Sequence, residues 1–252
     1  MTVKDIYLCL SEIVPEALSC EWDNDGIMAS FDTDREVMSV LVTLDITEEA
    51  VKYAIDGGFD LIVSHHPLVF RPLGSISDES HIAKKAMTLI KNNISAISLH
   101  TRLDRVEGGV NDKLAETLGL KKVLPFGSDA LGRIGDLVMP MSAEDFALFV
   151  KDALGSDAVK LSGRGRVSRV ALVGGDGKEY VKAAIAAGAD TYLSGRIGYN
   201  VMMEAAEMGI NLVEAGHYFT EQPVTEVLYA ILKDLDESLV VEIFEANLIK
   251  NF

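Results

Sequence analysis

Short apolar runs alternate with amphipathic stretches along nearly the whole chain. Val37–Leu44 reads VMSVLVTL, Asp60–Ser64 reads DLIVS and Ile94–Leu99 reads ISAISL. Runs this short and this rich in β-branched residues suit strands covered on both faces. Between them, Thr47–Asp56 and Ile82–Lys91 place apolar side chains every three or four residues, the period of a helix with one face on a core. Thr47 offers an N-cap hydroxyl, and Gly57-Gly58 a stop that tolerates left-handed backbone. The same periodicities predict helices over Asp5–Val14 and Val110–Leu118 and a strand over Gly26–Ser30. In the second half they predict helix Ala143–Leu154, strand Arg169–Val173, helix Glu179–Ala187, strand Thr191–Ser194 and helix Val201–Met208. Strand Asn211–Ala215, helix Pro223–Leu235 and strand Leu239–Phe244 follow. Such alternation specifies βαβ units, hence an α/β fold with mixed, mainly parallel sheets.

The pattern occurs twice. A displacement of 130 positions lays Val37–Ser64 on Val167–Ser194 without a gap. Ten of the 28 pairs are identical, including Val40/Val170, Gly58/Gly188, Asp60/Asp190 and Ser64/Ser194, where average composition predicts about two. Further on the offset shortens to 117, setting Ile97-Ser98-Leu99-His100 against Glu214-Ala215-Gly216-His217. Phe126–Gly132 (FGSDALG) reads as a linker near the midpoint, so the expected division is residues 1–126 and 127–252. The sequence leaves open whether the last elements return to the first half.

Composition narrows the partners. With 48% hydrophobic and 25% charged residues among 252, the chain has the profile of a globular protein with a sizeable core. Its 39 acidic against 23 basic side chains give a net charge of -16, which opposes direct nucleic-acid binding and association with anionic membranes. No basic flank precedes an apolar leader and no run approaches the length of a membrane span, so a cytoplasmic location and no membrane partner are expected. Cys9 and Cys20 are too few for a disulfide framework and are expected to be buried thiols.

Candidate chemistry gathers where the predicted parallel strands end, the edge at which open α/β sheets collect their binding loops. His65 and His66 follow the apolar run ending at Ser64, and Pro67 blocks its continuation. His100 precedes Asp104 by four residues, and His217 precedes Glu221 by four. A carboxylate one turn beyond an imidazole can approach the same cation, although capping roles for both acids and backbone bonding for both histidines would also satisfy them. His65, His66, Asp104, His217 and Glu221 exceed the needs of one tetrahedral zinc site. Two divalent ions sharing a bridging water use them better, and the absence of cysteine ligands points to zinc, manganese or iron. Trp22-Asp23-Asn24-Asp25-Gly26 is a turn and a candidate pocket wall, while Arg71, Arg102 and Arg196 are candidates for holding phosphate. Gly174-Gly175-Asp176-Gly177 looks like a phosphate loop but lacks the lysine and hydroxyl of a P-loop.

Four motifs, Trp22-Asp23-Asn24-x-Gly26, Ser64-His65-His66-Pro67-Leu68-x-Phe70, His100-Thr101-x-x-Asp104 and Gly216-His217-x-x-Thr220-Glu221, together resemble the GTP cyclohydrolase I type 2 homologues, the NGG-interacting-factor-three-like family. The likeness runs from about Ile6 to the end. It implies a duplicated, intertwined α/β fold, a dinuclear metal centre held by His65, His66, Asp104, His217 and Glu221, and a ring-shaped homohexamer. The chain departs from the family at Arg196 and Asn200, where many relatives carry an acidic residue and a histidine. The expected function is hydrolysis of a purine nucleotide or related small molecule by a metal-bridging hydroxide, with Glu221 or Asp104 orienting the metal-bound water. Trp22, Asp23, Asn24, His100, Arg102 and Arg196 are the candidate substrate contacts. The rivals are phosphoester hydrolysis at the same centre and a non-catalytic, metal-binding oligomeric adaptor.

Overall fold

The computed structural model describes residues 1–250. In chain order it opens with α1 (Val3–Ile13), β1 (Gly26–Ala29), β2 (Ser39–Thr43), α2 (Glu48–Gly57), β3 (Leu61–Ser64), α3 (His81–Lys91), β4 (Ser95–Ser98) and α4 (Thr101–Arg105). It continues with α5 (Val110–Thr117), β5 (Lys121–Phe126), β6 (Gly132–Ser142), α6 (Ala143–Leu154), β7 (Lys160–Ser162), β8 (Arg166–Asp176) and α7 (Val181–Ala186). Then follow β9 (Thr191–Arg196), α8 (Tyr199–Glu207), β10 (Asn211–Glu214), α9 (His217–Glu221), α10 (Val224–Leu235) and β11 (Val240–Phe244).

Two compact units divide the chain. The first joins Met1–Val106 to Val224–Ala246, and the second is built on Glu107–Pro223. This corrects the expected boundary at 126–132, because Phe126–Gly132 is the connection of a β5–β6 hairpin inside the second unit. The glycines there serve a turn rather than a linker.

In the first unit the sheet order is β1-β4-β3-β2-β11, with β1 antiparallel to β4 and the other pairs parallel. Alternation along each strand sends side chains to opposite faces. Leu41, Ile62 and Ala96 pack with Val51 and Ala54 of α2 and Leu89 of α3. Val40, Val42, Leu61 and Val63 are fully buried from the strands' other face, and α10 packs on β2 and β11. Coverage on both faces accounts for the uninterrupted apolar runs, each buried Leu or Ile contributing about 1.5–3 kcal/mol. Thr47 caps α2 by accepting from the Ala50 N–H, and Gly58 closes it at φ 67°.

The second unit's sheet runs β5-β6-β8-β9-β10-β7, parallel at β8/β9 and β9/β10 and antiparallel elsewhere. Val170 and Leu172 pack with α5 and α6 through Leu114 and Phe146, while Ala171 and Val173 pack with α7 and α8 through Ala184 and Met202. The duplication survives in detail. Val40 faces Leu61 in one sheet and Val170 faces Thr191 in the other. The Asp60 carboxylate accepts from the Met38 and Ser39 N–H groups, and Asp190 accepts from those of Ser168 and Arg169. An identical aspartate therefore ties the start of one strand to its parallel neighbour in each copy.

Several elements lie outside the sequence expectations: β5, β6, β7, α4 and α9. Strand β8 is longer than expected, running through Gly174 and Gly175 to Asp176. Cys9 and Cys20 are half-buried free thiols rather than buried ones. Among the described residues no helix is long and apolar enough to cross a membrane.

Candidate functional site

The first unit gathers three imidazoles at the carboxyl ends of β3 and β4. Ser64 pairs with Ser98 in register, their hydroxyls 2.8 Å apart, so the segments after both strands leave at one level. The chain past Ser64 stays attached to β2, with the His65 N–H donating to Thr43 O and the His66 N–H to Leu44 O. The Ser64 hydroxyl donates to His66 O at 2.8 Å, closing a tight turn that rotates consecutive side chains to one side. Ring centroids lie 4.9 Å apart for His65 and His66, 5.3 Å for His65 and His100, and 5.7 Å for His66 and His100. One donor atom from each falls within 4.8 Å of the others.

Each of these rings is held through Nδ1. His65 Nδ1 meets Leu99 O at 3.0 Å, His66 Nδ1 meets Asp45 Oδ1 at 2.9 Å and His100 Nδ1 meets Asp23 Oδ1 at 2.7 Å. An Nδ1–H that donates in this way puts the imidazole lone pair on Nε2, the arrangement by which metal-binding histidines are oriented and made more basic. His65 Nε2 stands 3.7 Å from Asp104 Oδ1. This donor set, neutral imidazoles with a carboxylate at hand, fits a borderline divalent cation.

Asp23 is the anchor of the loop before β1. Its carboxylate accepts from the Thr101 N–H at 3.0 Å and the Thr101 hydroxyl at 2.6 Å as well as from His100. Burial by itself would raise its pKa, but the hydrogen bonds from His100 and Thr101 outweigh that, holding the carboxyl well below the usual carboxylate range. A carboxyl depressed on folding contributes stability in full above its unfolded pKa of about 3.9, and loses it as pH falls through the folded value. Asp23→Asn is therefore expected to cost about 1–3 kcal/mol at pH 7, with the gap to wild type closing as unfolding is measured at successively lower pH below about 4. A gap unchanged down to acid pH would show that charge plays no part.

The remaining motif residues divide between structure and surface. The Asn24 side-chain amide donates to Val69 O, joining the two loops. Trp22 is 58% exposed, with its ring 6.1 Å from Phe70 and 6.3 Å from His100, a wall beside the imidazoles. Arg102 corrects its expectation as a phosphate contact. Its guanidinium is fully buried, Nε lies 3.0 Å from Asp25 Oδ2, and Nη1 donates to Val14 O and the Ser11 hydroxyl. It braces α4 against the amino-terminal segment. Arg71 lies over the Phe70 ring and is exposed.

In the second unit His217 and Glu221 sit one turn apart on α9, with Nε2 2.9 Å from Oε2. Glu221 is only 5% exposed, a costly place for a carboxylate without a cation beside it. Gly175, at φ 65°, makes room for it, since a Cβ there would lie 2.1 Å from Glu221 Oε1 and 3.2 Å from His217 Nε2. The glycine run is thus a cradle for the acid rather than a phosphate loop. Its amides are already used: Gly174 N–H donates to Asn111 Oδ1, Gly175 N–H to the Thr220 hydroxyl and Gly177 N–H to Arg196 O. Gly195 closes the same packing, for a Cβ would lie 2.7 Å from His217 Cα. Arg196, exposed beside it, starts a turn whose Ile197 and Gly198 amides donate to Glu214 Oε2 at 2.7 and 2.9 Å. Burial works against that carboxylate's charge, but the bonds from Lys160, Gly198 and Ile197 lower its pKa overall.

The shared His-x-x-x-acid spacing turns out to serve two geometries. Ser98 pairs with Ser64 and Glu214 with Ser194, which sets His100 opposite Gly216 rather than His217. His100 precedes α4 and turns to Asp23, whereas His217 begins α9 and meets its own acid. Asp23 and Asp45 emerge as ring-orienting residues. Asp45 follows β2, beside the strand end that carries the histidine pair, and that adjacency was its only sequence signal.

Comparison with known proteins follows the same outline. The model of the Duf34/NIF3 (NGG1p interacting factor 3) family matches residues 1–251. A Clostridium perfringens protein named GTP cyclohydrolase 1 type 2 homolog is 34% identical over 232 residues, covering 89% of this chain and 88% of the relative. A Nostoc relative of the same name is 34% identical over 226 residues, covering 86% and 84%. Among crystal structures, Staphylococcus aureus protein SA1388 has a TM-score of 0.91 at 28% identity, covering 100% of this chain and 99% of that one. Reduced HcgD from Methanocaldococcus jannaschii has a TM-score of 0.84 at 28% identity, covering 96% and 97%.

Proposed function

We propose, from the premise that the chain belongs to the Duf34/NIF3 (NGG1p interacting factor 3) family, that it is a dinuclear-metal-dependent hydrolase of a purine nucleotide or related small molecule. The proposed ligands are His65, His66, Asp104, His217 and Glu221. The observation that most supports this reading is the tethering of the adjacent His65 and His66 rings through Nδ1, with Asp104 Oδ1 3.7 Å from His65 Nε2. Two imidazoles oriented in this way beside a carboxylate suit a cation. A bound divalent pair would bring a water's pKa towards neutrality and polarise the reacting group.

The chain's own groups then have distinct tasks. Glu221 or Asp104 would orient the attacking water. Trp22 and His100 present ring faces and edges to a planar base. Arg196 meets the ligand's negative charge, which the acidic surface would otherwise repel. The GTP in the relatives' name makes that nucleotide the first candidate.

Metal-loaded protein incubated with GTP and other nucleoside triphosphates, with formate and phosphate assayed separately, tests the proposal. Formate release with ring opening is the expected result. Phosphate alone would transfer the site to phosphoester hydrolysis. Intact metal binding without either product would sink the hydrolase reading and leave a metal-binding assembly or adaptor in a homo-oligomer.

A further inference from the structure

Helices α2 and α3 pack against each other in the first unit and flank an open-sided cavity of about 210 Å³. Val51 and Ile55 of α2 give it an apolar wall, and Lys52, Lys84 and Lys85 bring three amines to it. Lys85 is half-buried, with Nζ donating to Ile46 O, and burial lowers its pKa despite the opposing charges of Asp45 and Glu48. Lys52 is paired one turn along with Asp56, and Glu48 also lines the cavity, so cations outnumber anions on the lining itself. In a chain of net charge -16, an amine cluster over apolar side chains is a local exception to the surface field.

We propose that this cavity is an acylation site at which Lys85 takes a short acyl group from an acyl phosphate. The acyl chain lies along Val51 and Ile55, and Lys84 and Lys52 hold the phosphate. In its unprotonated form Lys85 Nζ keeps one N–H on the Ile46 carbonyl and attacks the acyl carbon with its lone pair. The N–C bond forms, the C–O bond to phosphate breaks, and phosphate leaves with that electron pair. The nitrogen's surplus proton passes to phosphate or solvent, and nothing is oxidised or reduced. A desolvated amine is the more reactive lysine because a larger share of it is unprotonated near neutrality.

Peptide mapping by mass spectrometry after timed exposure to acetyl phosphate reads this directly, with or without metal. Lys85 is expected to acetylate several-fold faster than Lys4 and Lys182, both exposed. Lys84→Ala and Lys52→Ala should slow that reaction several-fold while leaving acetylation by uncharged N-hydroxysuccinimide acetate unchanged. Ile55→Trp, which fills the cavity, should remove the preference while unfolding still reports a folded chain. Lys85 labelled no faster than Lys4 would overturn the proposal. Equal effects of the lysine substitutions on both reagents would overturn it too, since the amines would then hold no phosphate.

Discussion

Glu221→Ala and His65→Ala proteins should each leave purification with less bound metal than the wild type, which is expected to carry about two divalent ions per chain. The two substitutions fall in different units, so the pair of results is informative. Loss in both would support the five-ligand assignment. Retention of the full count in Glu221→Ala, with loss only in His65→Ala, would confine the metal to the His65, His66 and His100 group and reject the five-ligand assignment. Altering residues that merely orient ligands costs 10–100-fold in affinity, so removal of a ligand should exceed that. Chelation should be visible in stability as well. An ion present at about 100 times its dissociation constant adds ~2.7 kcal/mol to the folded state, and at ~2–4 °C per kcal/mol its removal lowers the melting temperature by about 5–10 °C. No shift on chelation, with metal shown to depart, would mean that binding and folding are not linked.

Gly175→Ala is expected to destabilise the second unit and displace Glu221. Two costs add there. The left-handed φ of 65° costs a side chain about 1–2 kcal/mol, and the new methyl would stand 2.1 Å from Glu221 Oε1, forcing the acid out of its cradle at about 1–3 kcal/mol more. Gly188→Ala separates the two effects, because Gly188 has φ 81° but nothing within 4 Å of the added carbon. Denaturant unfolding should show a loss of about 2–5 kcal/mol for Gly175→Ala and about 1–2 kcal/mol for Gly188→Ala, with metal lost only in the former. Equal losses and unchanged metal content in both would mean that Gly175 matters only through its backbone.

What the sequence disclosed depended on how strongly local pattern was coupled to burial. Strands β2 and β3 and helix α2 are covered on their apolar faces and capped by Thr47 and Gly58, so periodicity and punctuation agreed, and their duplicates could be found by identity. Strands β5 and β6 are different. Lys121, Lys122 and Pro125 in one and Gly132, Gly135 and Pro140 in the other dilute any apolar run, and the hairpin forms through pairing with β8. The five-residue helices α4 and α9 are too short to show a period. At the site, histidines and acids stood out because such residues are unusual at strand ends. Their supports did not: Asp23 reaches His100 across 77 positions, and the need for Gly175 arises from an acid 46 residues later. Arg102 misled because a guanidinium near a strand end looks the same in sequence whether it faces ligand or core.

The return of β11 to β2 sets an order on biosynthesis. When Val106 leaves the ribosome, the first sheet still lacks its last strand, and the N–H and C=O row along the far side of β2 waits unpaired. All of Glu107–Pro223 must be translated before Val240–Phe244 can fill it. The uninterrupted stretch is thus able to mature first while the opening segment waits. A nascent chain stalled before β11 would present a bare strand, open to neighbouring polypeptides.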